Sequence, residues 1–456
     1  MPIFLQQVAT DRYVTTLTYI FACIGVLFDL FALLLLDASS VQRKNIVDTV
    51  TQRIIAALIG GAAFFPIGYA IWNLQFYQAL GVAHPFRQSL SDWWFGGTYL
   101  TRFAQHIDPS LVPSADTQQV FLAFFCVFGA VTGAFIHSAG LERMKAAPCF
   151  IMAAFVGGLI VPVLCYLSYG PVGPLSNAGL HDFVGDYGLY IFVGCWALVL
   201  VRRLGPRREI RTNPDFVLFG SGIFFLLIGI PMFVVGCGFL QPGQGYFGIA
   251  MSESGLGIIF VNVFAAFAGG ILSGAAIAYR MRNPVYAVLG PISGYVACSA
   301  LLDIAMPWQA MAVAFFAPFI TVGCSKLIAW SKLDEPKITA VALGPGIYGA
   351  LAVGVVGHGL PTGGFFGITQ GPYAFQHAHI TVLAQAIGLV VVMAISLGPA
   401  WIVVTLLDKT IGLRVSPEVE AMGLDAAYWG ARPPAKAAAP ALADAPSGVP
   451  AGAAAP

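Results

Sequence analysis

The chain has 456 residues, of which 58% are hydrophobic and only 9% are charged. A soluble domain carries about 25% charged residues, so this composition excludes an ordinary soluble protein and indicates a surface that faces lipid. The net charge of +1 gives no reason to expect a nucleic acid as a partner. The eight cysteines lie in or beside apolar runs and form no Cys-x-x-Cys pair. We interpret them as packing residues and expect neither a metal site nor a cofactor.

Eleven apolar runs follow one another along the chain, and each approaches the length of about 20 residues that a membrane-spanning helix needs. They are residues 14–36, 54–72, 120–139, 150–169, 183–201, 217–238, 256–279, 285–304, 308–325, 338–356 and 380–407. The sequence therefore predicts an all-α polytopic membrane protein whose eleven transmembrane helices occupy residues 14–407. Residues 1–13 precede this domain, and two further segments, 408–430 and 431–456, follow it.

Lysine and arginine are unevenly distributed between the two sides of these runs. Only Arg12, Arg87 and Arg102 of the 22 basic residues lie on the side that holds the N-terminus. Basic loops remain in the cytoplasm when a membrane protein inserts. We therefore expect an integral plasma membrane protein with its N-terminus outside and its C-terminus in the cytoplasm. The short loops suit a bacterial inner membrane.

Two segments outside the runs have a composition of their own. The longest external connection, 73–119, carries Trp93, Trp94 and Phe95, which favour a short interfacial segment anchored by aromatic rings. Residues 431–456 consist mostly of alanine, proline and glycine without periodicity, and such a segment cannot bury a core. We predict that it is a disordered cytoplasmic tail.

Glycine is abundant, at 52 residues, and falls within the apolar runs. Examples are Gly185, Gly188 and Gly194 in the fifth run, and Gly344, Gly346 and Gly349 in the tenth. Close packing of helices explains such residues in a membrane. The two runs also occupy matching positions if the first ten form two halves of five, and Pro345 interrupts the tenth. Paired runs of this kind indicate a transport pathway at a repeat interface.

Five fragments of the chain resemble the ammonium transporters and their Rh relatives. The most specific is DKTIGLRVSPEVEAMGLD at 408–425, and the others are QRKN at 42–45, ERMK at 142–145, DFVG at 182–185 and DEP at 334–336. The resemblance covers about residues 14–430 and implies an inverted repeat of five plus five helices, followed by one more. It also implies a homotrimer with a narrow apolar pore in each subunit. The substrate would be ammonia, ammonium or another small gas, and a PII-type signalling protein is the cytoplasmic partner that the family suggests.

The family's paired pore histidines are missing from this chain. By the family's spacing, the first stands eight residues after Asp182, at Tyr190, and the second nine residues after Asp334, at Leu343. Tyrosine titrates near pH 10 and leucine has no proton to exchange. Neither residue can therefore replace the proton relay that the resemblance implies.

The external vestibule of the family is also altered. Phe233 stands at the family's gate phenylalanine, Cys237 replaces a serine, and Tyr169 stands about where the family has a tryptophan. A tyrosine face can attract an ammonium ion by about 0.5–2 kcal/mol. The alternative interpretation is that these aromatic side chains only pack.

Two acidic residues lie at the start of the fifth run. Asp182 is predicted to cap the helix by accepting from the backbone N–H of Val184 or Gly185, while the resemblance adds that this aspartate favours a cation outside the pore. Asp186 and Tyr190 are four residues apart and share a helix face, so Asp186 is a candidate pore carboxylate.

Further polar residues lie in or beside the runs. Asp29 and His137 are costly in lipid and should face protein, with either a functional role or an internal hydrogen bond. Three further histidines, at the outer ends of the last two runs, are expected in solvated loops: His358, His377 and His379.

Two hypotheses for function remain open from the sequence. The first is a channel or transporter that passes ammonia or another small neutral molecule without the histidine relay. The second is a non-conducting sensor or anchor that keeps the scaffold and binds a cytoplasmic partner. An enzyme is not expected, because no nucleophile–base pair, metal cluster or nucleotide loop is found in the sequence.

Overall fold

The computed structural model describes residues 3–101, 115–211, 213–241, 244–335 and 338–431. The predicted disordered segment lies outside these ranges except for Ala431. The α-helices are α1 (Ile3–Ser40), α2 (Ile46–Ala62), α3 (Phe64–Ala79), α4 (Pro85–Trp93), α5 (Thr98–Thr101), α6 (Ala115–Ala139), α7 (Ala146–Phe155), α8 (Val161–Ser168), α9 (Phe192–Leu204), α10 (Phe216–Val234), α11 (Leu256–Met281), α12 (Val285–Cys298), α13 (Pro307–Trp330), α14 (Gly344–Val356), α15 (Val382–Thr410), α16 (Pro417–Met422) and α17 (Leu424–Trp429).

Shorter elements complete the described chain. Turns of 3-10 helix occupy Arg43–Asn45 and Ser176–Ala178, and turns of π-helix occupy Val156–Ile160, Asp186–Ile191 and Thr339–Leu343. Two antiparallel hairpins join β1 (Gly238–Gln241) to β2 (Gly245–Gly248) and β3 (Pro361–Thr362) to β4 (Ala378–His379). The register pairs Phe239 with Phe247 in the first hairpin and Thr362 with Ala378 in the second.

The predicted helical membrane architecture is confirmed. Each of the eleven apolar runs coincides with helix, and nine segments in the described ranges are long and apolar enough to span a membrane. The pair α2 and α3 is a tenth candidate, bent by 49°. The eighth run forms α12, whose 14 residues rise only about 21 Å against a hydrocarbon core of about 30 Å. The count of eleven crossings therefore stays a prediction.

The second helical segment begins earlier than its apolar run indicates. The run starts at residue 54, whereas α2 starts at Ile46 and contains the buried polar residues Asp48, Gln52 and Arg53. The Gln52 amide donates to both carboxylate oxygens of Asp48, at 2.9 and 2.8 Å. Polar residues continue the helix here because they face protein rather than lipid.

Glycines allow several helices to pack at backbone distance. A Cβ atom added at Gly157 would overlap the Gly60 carbonyl oxygen, and one added at Gly129 would lie 2.9 Å from that same oxygen. Helices α2, α6 and the π turn after α7 therefore meet around one carbonyl group. Close contact is how helices associate in a membrane, where lipid removes the hydrophobic drive between them.

The two glycine-rich runs, the fifth and the tenth, contact each other. Both begin with a π turn, and in the tenth run this turn precedes Pro345, which lacks the N–H that a regular helix would need. A Cβ atom added at Gly194 would overlap Leu343, and one added at Gly346 would lie 2.9 Å from Asp186 Oδ1. These glycines therefore lie where the fifth and tenth runs, one from each half of the molecule, pack closely against each other.

Five loops and segments meet on one side of the molecule, which we name the basic face. It comprises residues 42–45, 142–145, 205–211, 331–335 and 411–431, and the opposite side is the far face. Glu142 binds Asn45 and Arg207, while Asp334 binds Arg143 and Arg207. The loops after the first, third, fifth and ninth runs therefore share a side, as the distribution of basic residues predicts.

Substituting Gly157 with alanine should destabilise the fold. The added methyl group has no space beside the Gly60 carbonyl, and overpacking of this kind costs about 1–3 kcal/mol. We expect a lower melting temperature of the detergent-purified protein. Gly220→Ala is the matched control, because a Cβ atom there meets nothing within 4 Å. An equal effect of both substitutions would contradict the packing argument.

Candidate functional site

An apolar cavity of about 110 Å³ lies among α1, α6, α10, α12 and the starts of the fifth and tenth runs. Phe128 and Phe233 line it towards the far face, and Asp37 and Ser138 line it towards the basic face. Its wall includes Tyr190, which stands where the family spacing places the first histidine. The cavity therefore contacts both halves of the molecule and extends along the membrane normal.

Aromatic rings close the cavity towards the far face. Phe233 stacks on Phe124 and Phe128 with ring centroids 5.7 and 6.5 Å apart, and Tyr169 stacks on Phe128 at 6.4 Å. The Tyr169 hydroxyl and the Cys237 thiol lie beside each other, and both residues are fully buried. The structure thus brings the three predicted vestibule residues together around Phe128, in a closed arrangement.

Asp182 caps the start of the fifth run. Its Oδ1 accepts from the backbone N–H of Gly185 at 3.0 Å and Asp186 at 2.8 Å, and its Oδ2 accepts from Tyr187 at 3.0 Å. The expected bond to Gly185 is confirmed, whereas Val184 does not take part, because the π turn and the positive φ of Gly185 present later N–H groups. Burial raises the pKa of Asp182 to about 6, although these three bonds oppose the rise.

His181 is a buried polar residue that the sequence analysis did not single out. Its Nε2 lies 3.0 Å from Asp303 Oδ1 and its Nδ1 lies 3.2 Å from Thr362 Oγ1, while Ser252 donates to the other oxygen of Asp303. These bonds tie the loop before the fifth run to β3 and to the end of the eighth run. The feature of the sequence that could have indicated this cluster is Asp303, an isolated acidic residue inside an apolar run.

Asp186 and Tyr190 both contact α14, as their predicted common face requires. A Cβ atom at Gly346 would lie 2.9 Å from Asp186 Oδ1 and 3.6 Å from Tyr190 Cβ. Asp186 is fully buried, and neither of its carboxylate oxygens accepts a hydrogen bond from the residues that the structure describes. It is not part of the cavity wall, so only Tyr190 of this pair faces the cavity.

The position predicted for the second histidine is turned away from the cavity. Leu343 packs against the backbone of Gly194, whereas its neighbours Val341 and Ala342 line the cavity. A side chain that contacts the cavity from the tenth run would therefore stand at residue 342 rather than 343.

An ion pair closes the cavity towards the basic face. Arg53 is 2% exposed and donates to the Asp37 carboxylate, to Ser138 Oγ and to the Ala134 carbonyl oxygen. Ser138 also donates to Asp37 at 2.7 Å, and His137 Nδ1 lies 3.9 Å from the same carboxylate. His137 thus faces protein, as expected, and so does Asp29, which is 9% exposed. Arg53 and Asp37 were not singled out from the sequence.

The three remaining histidines that the sequence placed in loops are exposed on the far face, as expected: His358, His377 and His379. Among the described residues, no group of three or more His, Cys, Asp or Glu side chains has a geometry that could hold a metal ion.

A carboxylate–guanidinium network holds the basic face together. Arg207 donates to Asp334 through Nη2 at 2.9 Å and Nε at 2.8 Å, and to Glu142 through Nη1 at 3.0 Å. Burial raises the pKa of Asp334, but the hydrogen bonds and charge of Arg207 outweigh it, with help from Arg143, so this pKa lies below its usual range.

The C-terminal region 408–430 packs on this network. Asp425 accepts from the backbone N–H of Val47 at 3.1 Å and Asp48 at 2.8 Å, and thereby caps α2. Trp429 donates to Asp48 at 2.9 Å, and Leu424 N donates to Asn45 at 2.8 Å. The region is therefore bound to the loop that follows the first run.

A profile of the Ammonium Transporter Family matches residues 17–432. The chain belongs to the ammonium transporter family. It is 31% identical over 313 residues to the ammonium transporter Amt1 of Methanocaldococcus jannaschii, covering 66% of this chain and 73% of that protein. It is 26% identical over 420 residues to the ammonium transporter Amt2 of Archaeoglobus fulgidus, covering 86% of this chain and 82% of that protein.

Solved structures of the family share the fold. A structure named Sensor Amt Protein superposes with a TM-score of 0.73 at 20% identity, covering 92% of this chain and 99% of that chain. Mep2 of Saccharomyces cerevisiae superposes with a TM-score of 0.69 at 17% identity, covering 88% and 90%. These likenesses establish the family fold for this member.

The stability of the basic face should fall at acidic pH in a way that depends on Asp334. Because its folded pKa is lowered, its contribution is present above the unfolded pKa of about 3.9 and is lost as pH falls through the folded pKa. Asp334→Asn should lower the melting temperature at pH 7, since it removes one of the two carboxylates that bind the buried Arg207, at a cost of up to about 3–5 kcal/mol. It should also weaken the further loss of stability below about pH 4.

Asp408→Asn is the control for this measurement. Asp408 pairs with Arg203 at 2.8 Å, but both side chains are 35% exposed, and exposed pairs contribute about 0–1 kcal/mol. Parallel acid profiles for wild type and Asp334→Asn would refute the assignment.

Proposed function

We propose that this family member is a membrane channel or transporter that passes ammonia or another small neutral molecule without a histidine relay. The cavity that carries the substrate lies within each subunit of a homotrimer. The basic face lies in the cytoplasm, because cation-rich loops stay on that side, and the N-terminus lies outside. The protein is not an enzyme.

The single observation that carries this proposal is the cavity itself. It lies between both halves of the family fold, and its wall is almost entirely apolar, with Tyr190 at the place of the first family histidine. An apolar wall favours a neutral molecule as the species that passes along it, because a bare cation that is not paired with a carboxylate loses its hydration there at a cost of several kcal/mol.

Conduction requires that both closures of the cavity open. Towards the far face, Phe233 must leave its stack with Phe124 and Phe128. Towards the basic face, the Asp37–Arg53 pair stands in the path. The pair is neutral overall and therefore does not repel a neutral molecule.

Ammonia uptake into proteoliposomes tests conduction. We expect stopped-flow alkalinisation of vesicles containing the wild-type protein to exceed that of empty vesicles, with no ammonium-driven current on a supported membrane. Phe233→Ala should increase the rate, because it removes one ring from the stack that closes the cavity. Permeability equal to that of empty vesicles for both proteins would overturn the proposal.

Restoring the two histidines tests whether the rest of the pore supports ammonium transport once the missing relay is present. Tyr190→His with Ala342→His places both imidazoles on the cavity wall, whereas Tyr190→His with Leu343→His places the second against Gly194. We expect an ammonium current from the first pair and a smaller or absent one from the second. The variant with Tyr190→His and Leu343→His is the matched control, because it also adds two imidazoles but places only one of them on the cavity wall.

The second hypothesis, a non-conducting sensor, is supported by one specific connection. Helix α2 carries Asp48, which binds Trp429 of the C-terminal region, and Arg53, which binds Asp37 at the cavity. These two residues lie on one helix, less than two turns apart. Occupation of the cavity and binding of the C-terminal region therefore act on the same rigid element.

Binding of a purified PII-type signalling protein tests this second function. If the protein is a sensor, wild-type protein in detergent should bind the PII-type protein and ammonium should change the affinity. Asp425→Ala should alter that binding, because it removes the cap that joins the C-terminal region to α2. Affinity that is unchanged by both ammonium and the substitution would exclude a sensor of this kind.

A further inference from the structure

Asp29 is a carboxylate in the wall of the cavity that forms no hydrogen bond or ion pair with the described residues. It lies on α1, is 9% exposed and lines the cavity. Its Oδ1 accepts no hydrogen bond, and no basic side chain in the described ranges pairs with it. An ionised carboxylate without a partner is costly in an apolar wall, and a cationic ligand that binds it would offset that cost.

The packing of α1 on α10 places this carboxylate. A Cβ atom at Gly229 would overlap Asp29 Oδ1, and one at Gly25 would lie 2.7 Å from the Gly229 carbonyl oxygen. The two helices thus leave no space for side chains at these glycines, and the carboxylate occupies the position that a side chain of residue 229 would fill.

Aromatic rings surround the same cavity. The Tyr190 and Tyr295 rings meet edge to face, with centroids 6.3 Å apart, and both tyrosines lie within electrostatic range of Asp29. The Tyr295 hydroxyl is fully buried and makes no well-formed hydrogen bond to the described residues. Phe128 and Phe233 supply two more rings on the wall.

A carboxylate combined with several aromatic faces is the chemistry that recognises an alkylammonium ion. The carboxylate neutralises the charge and accepts its N–H, while the ring faces attract the polarised methyl groups. The cavity of about 110 Å³ exceeds the roughly 10–15 Å³ that a water-sized ion such as ammonium occupies on this measure. The space therefore suits a cation with several carbon atoms.

The other carboxylates near the cavity do not offer the same site. Asp37 is already bound by Arg53 and Ser138, and Asp186 lies outside the cavity wall. Asp29 is the cavity carboxylate, among the described residues, that remains available to a ligand.

We propose that Asp29, Tyr190 and Tyr295 form a binding site for an alkylammonium ion with several carbon atoms, such as trimethylammonium, with Asp29 as its anionic anchor. The site goes beyond the proposed function, since it is occupied whether the protein conducts a neutral molecule or only senses. A bound alkylammonium ion fills the cavity and competes with any molecule that passes through it.

Calorimetric titration of the full chain in detergent with trimethylammonium chloride tests the site. Wild-type protein should bind it saturably and more tightly than ammonium chloride, while the neutral solute tert-butanol, of similar shape, should bind far more weakly. Asp29→Asn should weaken trimethylammonium binding about tenfold or more, because the neutral amide keeps the shape and removes the charge. Asp408→Asn, which removes an exposed carboxylate, should not change it.

A second variant covers the outcome in which Asp29→Asn does not fold, as judged by gel filtration and melting temperature. Tyr295→Leu keeps the carboxylate and removes a ring face and a hydroxyl, and it should weaken trimethylammonium binding several-fold. The proposal is overturned if wild-type protein gives no saturable binding, or if every folded variant at positions 29 and 295 binds like wild type.

The result is distinguishable from the uptake experiment. Binding without ammonia uptake would reject conduction and retain this site. Uptake without trimethylammonium binding would reject this site and retain conduction. If both hold, trimethylammonium should inhibit ammonia uptake in wild-type vesicles and lose that effect in Asp29→Asn vesicles.

Discussion

The lipid around this chain offers no hydrogen bonds, so a polar group inside the spans is costly unless another part of the protein binds it. Arg53 shows the consequence most clearly: a guanidinium that is 2% exposed, held by Asp37, Ser138 and the Ala134 carbonyl oxygen. Asp182 shows it at the other side, where three backbone N–H groups surround one buried carboxylate. The first arrangement borders the cavity, because Asp37 and Ser138 are part of its wall.

The same solvent also explains the glycines. Lipid removes the hydrophobic drive between helices, so contact at backbone distance has to provide the association. Gly157 against Gly60 and Gly194 against Leu343 are two such contacts.

The basic face contains contacts between the C-terminal region and α2 that the membrane environment does not require. Asp425 caps α2, Trp429 binds Asp48, and Arg53 on the same helix reaches the cavity. The C-terminal region is thereby connected through one short helix to the closure formed with Asp37. This connection gives a physical basis for communication between the cavity and the aqueous side.

The sequence by itself determined the helical membrane class, the sharing of one face by alternate loops and the residues that carry the family resemblance, because these depend on composition, run length and charge. It also predicted the Asp182 cap, since a cap involves neighbours in the chain. It missed the His181–Asp303 and Arg53–Asp37 pairs, whose members lie far apart in sequence or in different helices. Only the tertiary structure decided that Ala342 faces the cavity and Leu343 faces Gly194. The π turn at Thr339–Leu343 rotates each side chain away from its direction in a regular α-helix, and counting residues along the chain cannot predict that rotation. The partnerless state of Asp29 is tertiary for the same reason: it depends on which side chains the other helices bring to the cavity.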